Sequence, residues 1–96
     1  MQWLDEVAFI TATRYSRQRM VTVKAENIRF LKPVVSDTIL ELVGSVVKTS
    51  QVRLFINVEV FAESLYSDHR EKVLDADFVF VPCNDELHPV ALKNPE

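Results

Sequence analysis

Glycine is nearly missing from this chain: Gly44 is the one glycine in 96 residues. Phosphate-cradling loops of the dinucleotide-binding and P-loop kinds need several glycines, for tight turns and for close backbone approach to phosphate, so both are excluded. Cysteine is as scarce. Cys83 has no second thiol with which to close an internal disulfide, which points to a reducing, cytoplasmic setting. No apolar run reaches the roughly 18 residues that a membrane-crossing helix needs, and no basic segment with an apolar core and cleavage site stands at the start. The two histidines, His69 and His88, lie far apart, and no Cys, His or Asp spacing around them resembles a metal site. No metal is expected. A basic excess is also lacking: 11 Lys and Arg stand against 14 Asp and Glu, a net charge of -3. That argues against general nucleic-acid binding, but a few local arginines would suffice for the phosphates of a small ligand.

What is present reads as a globular chain. Hydrophobic residues at 48% with 26% charged exclude a disordered segment, and the length suits one domain, residues 1–96, with one core. From Trp3 to Tyr15 the apolar positions Trp3, Leu4, Val7, Ala8, Phe9, Ile10 and Ala12 leave no wide polar face, the mark of a buried helix. Asp5 and Glu6 sit inside that run, where a carboxylate is costly unless something uses it. The helix ends in RYSRQR, whose Arg14, Arg17 and Arg19 suit its negative end and solvent. A patch for ligand phosphates is the sharper reading of the same arginines.

After the helix the apolar period falls to two. In MVTVKAENIRFLKP, Val21, Val23 and Ala25 share a face and Ile28 and Phe30 resume in the opposite phase, which predicts a β-bulge near Glu26 and Asn27. Pro33 and the Ser36–Asp37 pair mark a turn. TILELVGSVVK is apolar on both faces, as expected of a central strand. VRLFINVEVFAE places Leu54, Ile56, Val58 and Val60 on one face, with Arg53, Asn57 and Glu59 mostly on the other. In KVLDADFVFVP, Leu74, Ala76, Phe78 and Phe80 alternate with Val73, Asp75, Asp77 and Val79. The tail from Cys83 reads as a turn and a short extension. One helix followed by four strands on short links, which demand that successive strands be antiparallel neighbours, implies an α+β fold, an antiparallel sheet whose apolar face the helix covers.

WLDEVAFITATRY, MVTVKAENIRFLKPV, TILELVGSVV and FVFVP together resemble the acyl-CoA thioester hydrolases of hotdog fold, over nearly the whole chain. The combination of W-L-D-E-x-A in the helix with R-F-x-K-P-V downstream is the specific part. In that family a strand and a loop with an asparagine and a glycine pair precede the helix; on this comparison the sequence looks like a member lacking its first strand. The resemblance implies a hotdog fold, one long helix wrapped by an antiparallel sheet. It also implies hydrolysis of acyl-CoA thioesters by water, with no metal or other cofactor. Asp5 matches the family's catalytic carboxylate, general base or nucleophile, which acts across a subunit interface with the asparagine of the preceding segment from the partner chain. A homodimer or a trimer of dimers is implied, with neither nucleic acid nor membrane as partner. The plainer reading of Asp5 is a charge favoured by the helix dipole, and Glu6 is read as a dipole or interface carboxylate.

Two positions depart from the family. Ser36 replaces a glycine before the acid matched by Asp37. Ser50, Gln51, Val52 and Arg53 stand where the family has Gly-x-Thr-Ser near bound coenzyme A, which leaves Arg53 and Lys48 as candidates for a phosphate contact or as plain surface charges. The alternative to an enzyme is a hotdog module that binds an acyl thioester, or only dimerises, without turnover.

Overall fold

The computed structural model describes residues 2–34, 37–86 and 88–92. Helix α1 (Gln2–Ser16) is followed by strands β1 (Met20–Phe30), β2 (Thr38–Thr49), β3 (Leu54–Ser64) and β4 (Arg70–Pro82). All pairings are antiparallel, in the order β1-β4-β3-β2. The helix lies on this sheet, the hotdog arrangement.

The alternation in β3 and β4 builds the core. Leu54, Ile56 and Val58 are buried opposite Phe80, Phe78 and Ala76, and Leu4, Ala8 and Ala12 of α1 close over them. Small residues at Ala8 and Ala12 let the helix sit close, and Gly44 does so on β2. Its backbone is not left-handed; space is what requires glycine. A Cβ built there would overlap Thr11 Oγ1 and fall 3.1 Å from Val7 Cγ1.

With that glycine spent on packing, left-handed positions fall to other residues: Arg17, Asn27 and Asp37 have φ of 56°, 53° and 62°. Arg17 ends α1, its N–H donating to Thr13 O at 2.7 Å, the single bond of a left-handed C-cap. Ser16 Oγ donates to Ala12 O at 2.9 Å and accepts from Gln18 N at 3.2 Å, which secures the exit from the last turn. Asn27 carries the expected bulge, the register slipping between Glu26 and Arg29. The turn expected at Pro33 and Ser36–Asp37 runs through Val35 and Ser36, which lie outside the described residues.

Three expectations need correction. The strand expected at the centre, β2, is an edge strand, and its Ile39, Val43 and Val47 are exposed. Being apolar on both faces does not by itself mark a central position. Nor does β1 pair with its sequence neighbour. It lies beside β4, so the chain crosses from one sheet edge to the other between Phe30 and Thr38. Three inter-strand spacings amount to about 14 Å, and the seven intervening residues reach about 23 Å when extended. Leu31 N and Lys32 N donate to Val73 O on the way. Finally, the helix is covered on one side only, leaving Trp3, Phe9 and Ile10 exposed, because a single sheet has one face to offer.

The outer sheet face carries a polar network centred on Asp75. The bulge turns Arg29 onto Asp75, Nε and Nη2 donating to its two oxygens at 2.9 and 2.8 Å, while Lys72 Nζ lies 3.3 Å from Asp75 and 3.1 Å from Glu59. The Asp75 side chain is 4% exposed, and hydrogen bonding to Arg29, with Lys72 adding to it, outweighs desolvation and holds its carboxyl below the ordinary range. Asn27 and Asn57 donate to the neighbouring Asp77 at 3.1 and 2.9 Å. These contacts tie β1, β3 and β4 together on the side away from the helix. They are structural pairs.

Candidate functional site

Asp5 stands in the first turn of α1 and is exposed. At about 100° per residue it projects between the sectors of Ala12 and Phe9, the flank on which Phe9 meets Phe80 with ring centroids 6.5 Å apart. That flank looks toward β4 and the free edge of β1. No hydrogen bond or ion pair holds the Asp5 carboxylate among the described residues. Backbone N–H groups of a first helical turn have no intrahelical acceptors and favour negative charge, so a carboxylate and an oxyanion are both at home here. Glu6, next to it, is exposed as well.

On the other side of the same turn, α1 and the sheet part to leave an apolar cavity of about 220 Å³. Buried Leu4, Val60 and Leu74 form its floor and exposed Trp3, Phe30 and Val34 its rim. The register slip between Val60 and Phe61 turns Val73 inward beside Leu74, so that two consecutive residues of β4 face the cavity. The crossing from β1 to β2 supplies Val34. Sequence reading missed the cavity because its walls come from every element of the chain, and Trp3–Leu4 beside Asp5 was the only local signal.

The cations lie elsewhere. Lys48 Nζ sits 4.7 Å from the centre of the Phe55 ring, in a depression that also carries the carboxylates of Glu26 and Asp77. Arg53 closes the β2–β3 turn, its N–H donating to Ser50 Oγ at 3.1 Å while its carbonyl accepts from Ser50 N at 2.9 Å; its side chain is exposed. Both follow Gly44, which already packs against the third turn of α1, so within one chain they sit toward the end of the helix opposite Asp5. Arg17 and Arg19 are also at that end, Arg19 within 3.6 Å of Asp85. His69 belongs to an exposed group with Glu71 and Lys32, whose contacts, Lys32 first and His69 second, pull the Glu71 carboxyl down. Among the described residues no group of three His, Cys, Asp or Glu side chains is placed to hold a metal ion, and no helix is long and apolar enough to cross a membrane.

The helix laid on an antiparallel sheet defines the hotdog class of fold, and comparison with known proteins makes the family assignment. The family model of the thioesterase superfamily matches residues 1–67. The chain belongs to that superfamily. Among its relatives, the acyl-CoA thioester hydrolase YciA of Escherichia coli K12 is 30% identical over 95 residues, covering 96% of this chain and 72% of that protein. The uncharacterized acyl-CoA thioester hydrolase YkhA of Bacillus subtilis is 33% identical over 92 residues, 94% of this chain but 52% of its own length. The chain thus spans about half of that relative. A hexameric thioesterase from Yersinia pestis superposes with a TM-score of 0.86 at 28% identity, over 98% of this chain and 76% of the other.

Proposed function

We propose that this chain, read as one domain over residues 1–96, hydrolyses acyl-CoA thioesters to a free acid and coenzyme A, with Asp5 as general base or nucleophile at a seam between two copies. Membership of the superfamily and its acyl-CoA hydrolase relatives carries the reading, and the exposed Asp5 at the helix start gives it a chemical group. As general base, Asp5 takes a proton from water while the oxygen attacks the thioester carbonyl. The oxyanion is stabilised by N–H groups of the first turn, the C–S bond breaks, and the thiolate recovers the proton. As nucleophile, the carboxylate forms a mixed anhydride that water then opens. Water is the sole co-reactant; neither metal nor organic cofactor takes part.

The seam is placed along β1. Its edge is unpaired on one side among the described residues, and Val23 and Ile28 are exposed on it, next to the flank that carries Phe9 and Asp5, while Val21 is exposed opposite Val81 on the face away from the helix. Pairing with a twofold mate would satisfy the free N–H and C=O groups and cover those side chains, giving a homodimer or a trimer of such dimers. A twofold there runs the two helices in opposite directions, so the arginine-bearing end of one copy approaches the Asp5 end of its mate. Arg53 is the better phosphate candidate of the two cations, since Lys48 has Glu26 and Asp77 as neighbours. The setting is cytoplasmic, with neither nucleic acid nor membrane as partner.

Asp5→Asn tests the reading. Thiol release from acyl-CoA should fall by roughly 10²-fold or more, the scale of a lost general base, while the melting temperature does not fall, because the side chain is exposed in the single chain. Undiminished turnover with a lowered melting point would make Asp5 a helix-dipole charge and nothing more. One observation favours the second reading, a binding or dimerisation module without turnover: no described group orients the Asp5 carboxylate. That reading expects acyl-CoA to bind and survive.

A further inference from the structure

Of the depressions in this chain, the one beneath the first turn of α1 has a lining made wholly of apolar side chains. Three others carry charge: Glu26, Lys48 and Asp77 in one, Asp37, His69 and Glu71 in another, and Lys32 in the open groove next to the cavity. Its position is set by Asp5. Leu4, the residue before Asp5, is part of its floor, and Trp3 is part of its rim. A thioester whose carbonyl carbon meets the Asp5 carboxylate at the helix start therefore has an apolar compartment on the Trp3–Leu4 side of the same helical turn. On the other side lie solvent and the β1 edge. The coenzyme A half is polar and anionic and cannot enter the compartment without losing its hydration; an alkyl tail gains from entering it.

We infer that this cavity is the acyl-tail compartment of the proposed thioesterase site and that it favours tails of about eight carbons. The inference rests on the acyl-CoA reading above. The size follows from volume. An apolar engineered cavity of about 150 Å³ holds benzene, six carbons. By proportion the roughly 220 Å³ found here holds about eight or nine. Shorter tails leave apolar wall unsatisfied. Longer ones run out past Trp3, Phe30 and Val34 into solvent and gain little more. Leu42 also lines the cavity, and its volume sets how deep a tail can lie.

The test uses S-alkyl-coenzyme A thioethers, which cannot be hydrolysed, from two to sixteen carbons, with coenzyme A alone as reference. Affinity measured by calorimetry should rise roughly fourfold per methylene, the worth of one buried CH₂, giving roughly 250-fold from butyl to octyl, and then level off. Leu42→Phe should cut the octyl-to-butyl ratio at least tenfold. Should that variant fail to fold, Val34→Phe at the exposed rim should lower the same ratio. Coenzyme A binding with no dependence on tail length, or affinity rising evenly to sixteen carbons, would overturn the inference and leave the hydrolase reading standing. If nothing in the series binds, coenzyme A included, and no acyl-CoA is turned over, the hydrolase reading falls and the inference with it.

Discussion

Gly44→Ala puts a methyl group into the closest approach between helix and sheet. The new Cβ would overlap Thr11 Oγ1 and crowd Val7 Cγ1 at 3.1 Å and Thr11 Cβ at 3.2 Å. Thr11 can turn away only by giving up the bond from Oγ1 to Val7 O, 2.8 Å long, worth about 1 kcal/mol. Otherwise the helix lifts, and overpacking of this kind costs about 1–3 kcal/mol. Against this, alanine restricts the unfolded chain and returns about 0.4–1 kcal/mol. The balance is a loss of about 1 kcal/mol, which lowers the melting temperature of a chain this size by about 5 °C. Circular dichroism melts at neutral pH measure it. Thr11→Ala in the same chain removes the overlapping oxygen, so the double variant should melt higher than the two single losses predict, with a coupling of about 1 kcal/mol. A melting point within about 2 °C of the parent, or strict additivity, would refute the close approach as the reason for glycine here.

Two further outcomes follow from the sheet. Arg29→Met removes the contact that does most to hold the Asp75 carboxyl below its ordinary range; the contribution of that ion is present above about pH 4, the unfolded value, and fades as pH falls through the lower folded one. The variant should therefore melt lower than the parent at pH 7, with the gap closing on acidification below about pH 4, and a gap that widens there would contradict the pairing. Val23→Lys places a charge on the proposed seam at a side chain already 50% exposed. Sedimentation at micromolar concentration should show the parent as a dimer or larger and the variant smaller, and a monomeric parent would remove the seam.

Periodicity made the helix and the core faces of β3 and β4 legible, since every third or fourth residue of α1 and every second residue of those strands meets the same interior. The bulge at Asn27 was legible because a phase slip in β1 has no other remedy. The slip between Thr22 and Lys24 was not, for Val21, Val23 and Ala25 alternate without interruption in the sequence. Strand order was hidden for a different reason. TILELVGSVVK has the apolar content of a central strand, and nothing local says which of its faces a neighbour covers. Asp5 became a candidate through resemblance; its spacing alone fits a dipole charge as well. The cavity beside it depends on the crossing from β1 to β2 and on Val73 turning inward, both products of tertiary register.

The cost of a carboxylate within an apolar helix remains to be placed. In a single chain there is hardly any: Asp5 is exposed and the first turn favours its charge. The penalty arises when a second copy covers the flank that Asp5 shares with Phe9, because desolvation then acts on the ion unless the mate supplies a donor or the carboxylate is used. The β1 edge and Asp5 are therefore linked through one surface. Covering it stabilises the assembly by burying Val23 and Ile28, and the same act raises the free energy of the carboxylate that is to attack or to take a proton. If that link holds, Val23→Lys lowers turnover in step with the fraction of chain assembled, and Asp5→Asn tightens assembly while lowering turnover. Activity that is independent of assembly across a dilution series would separate the two and move the chemistry off the seam.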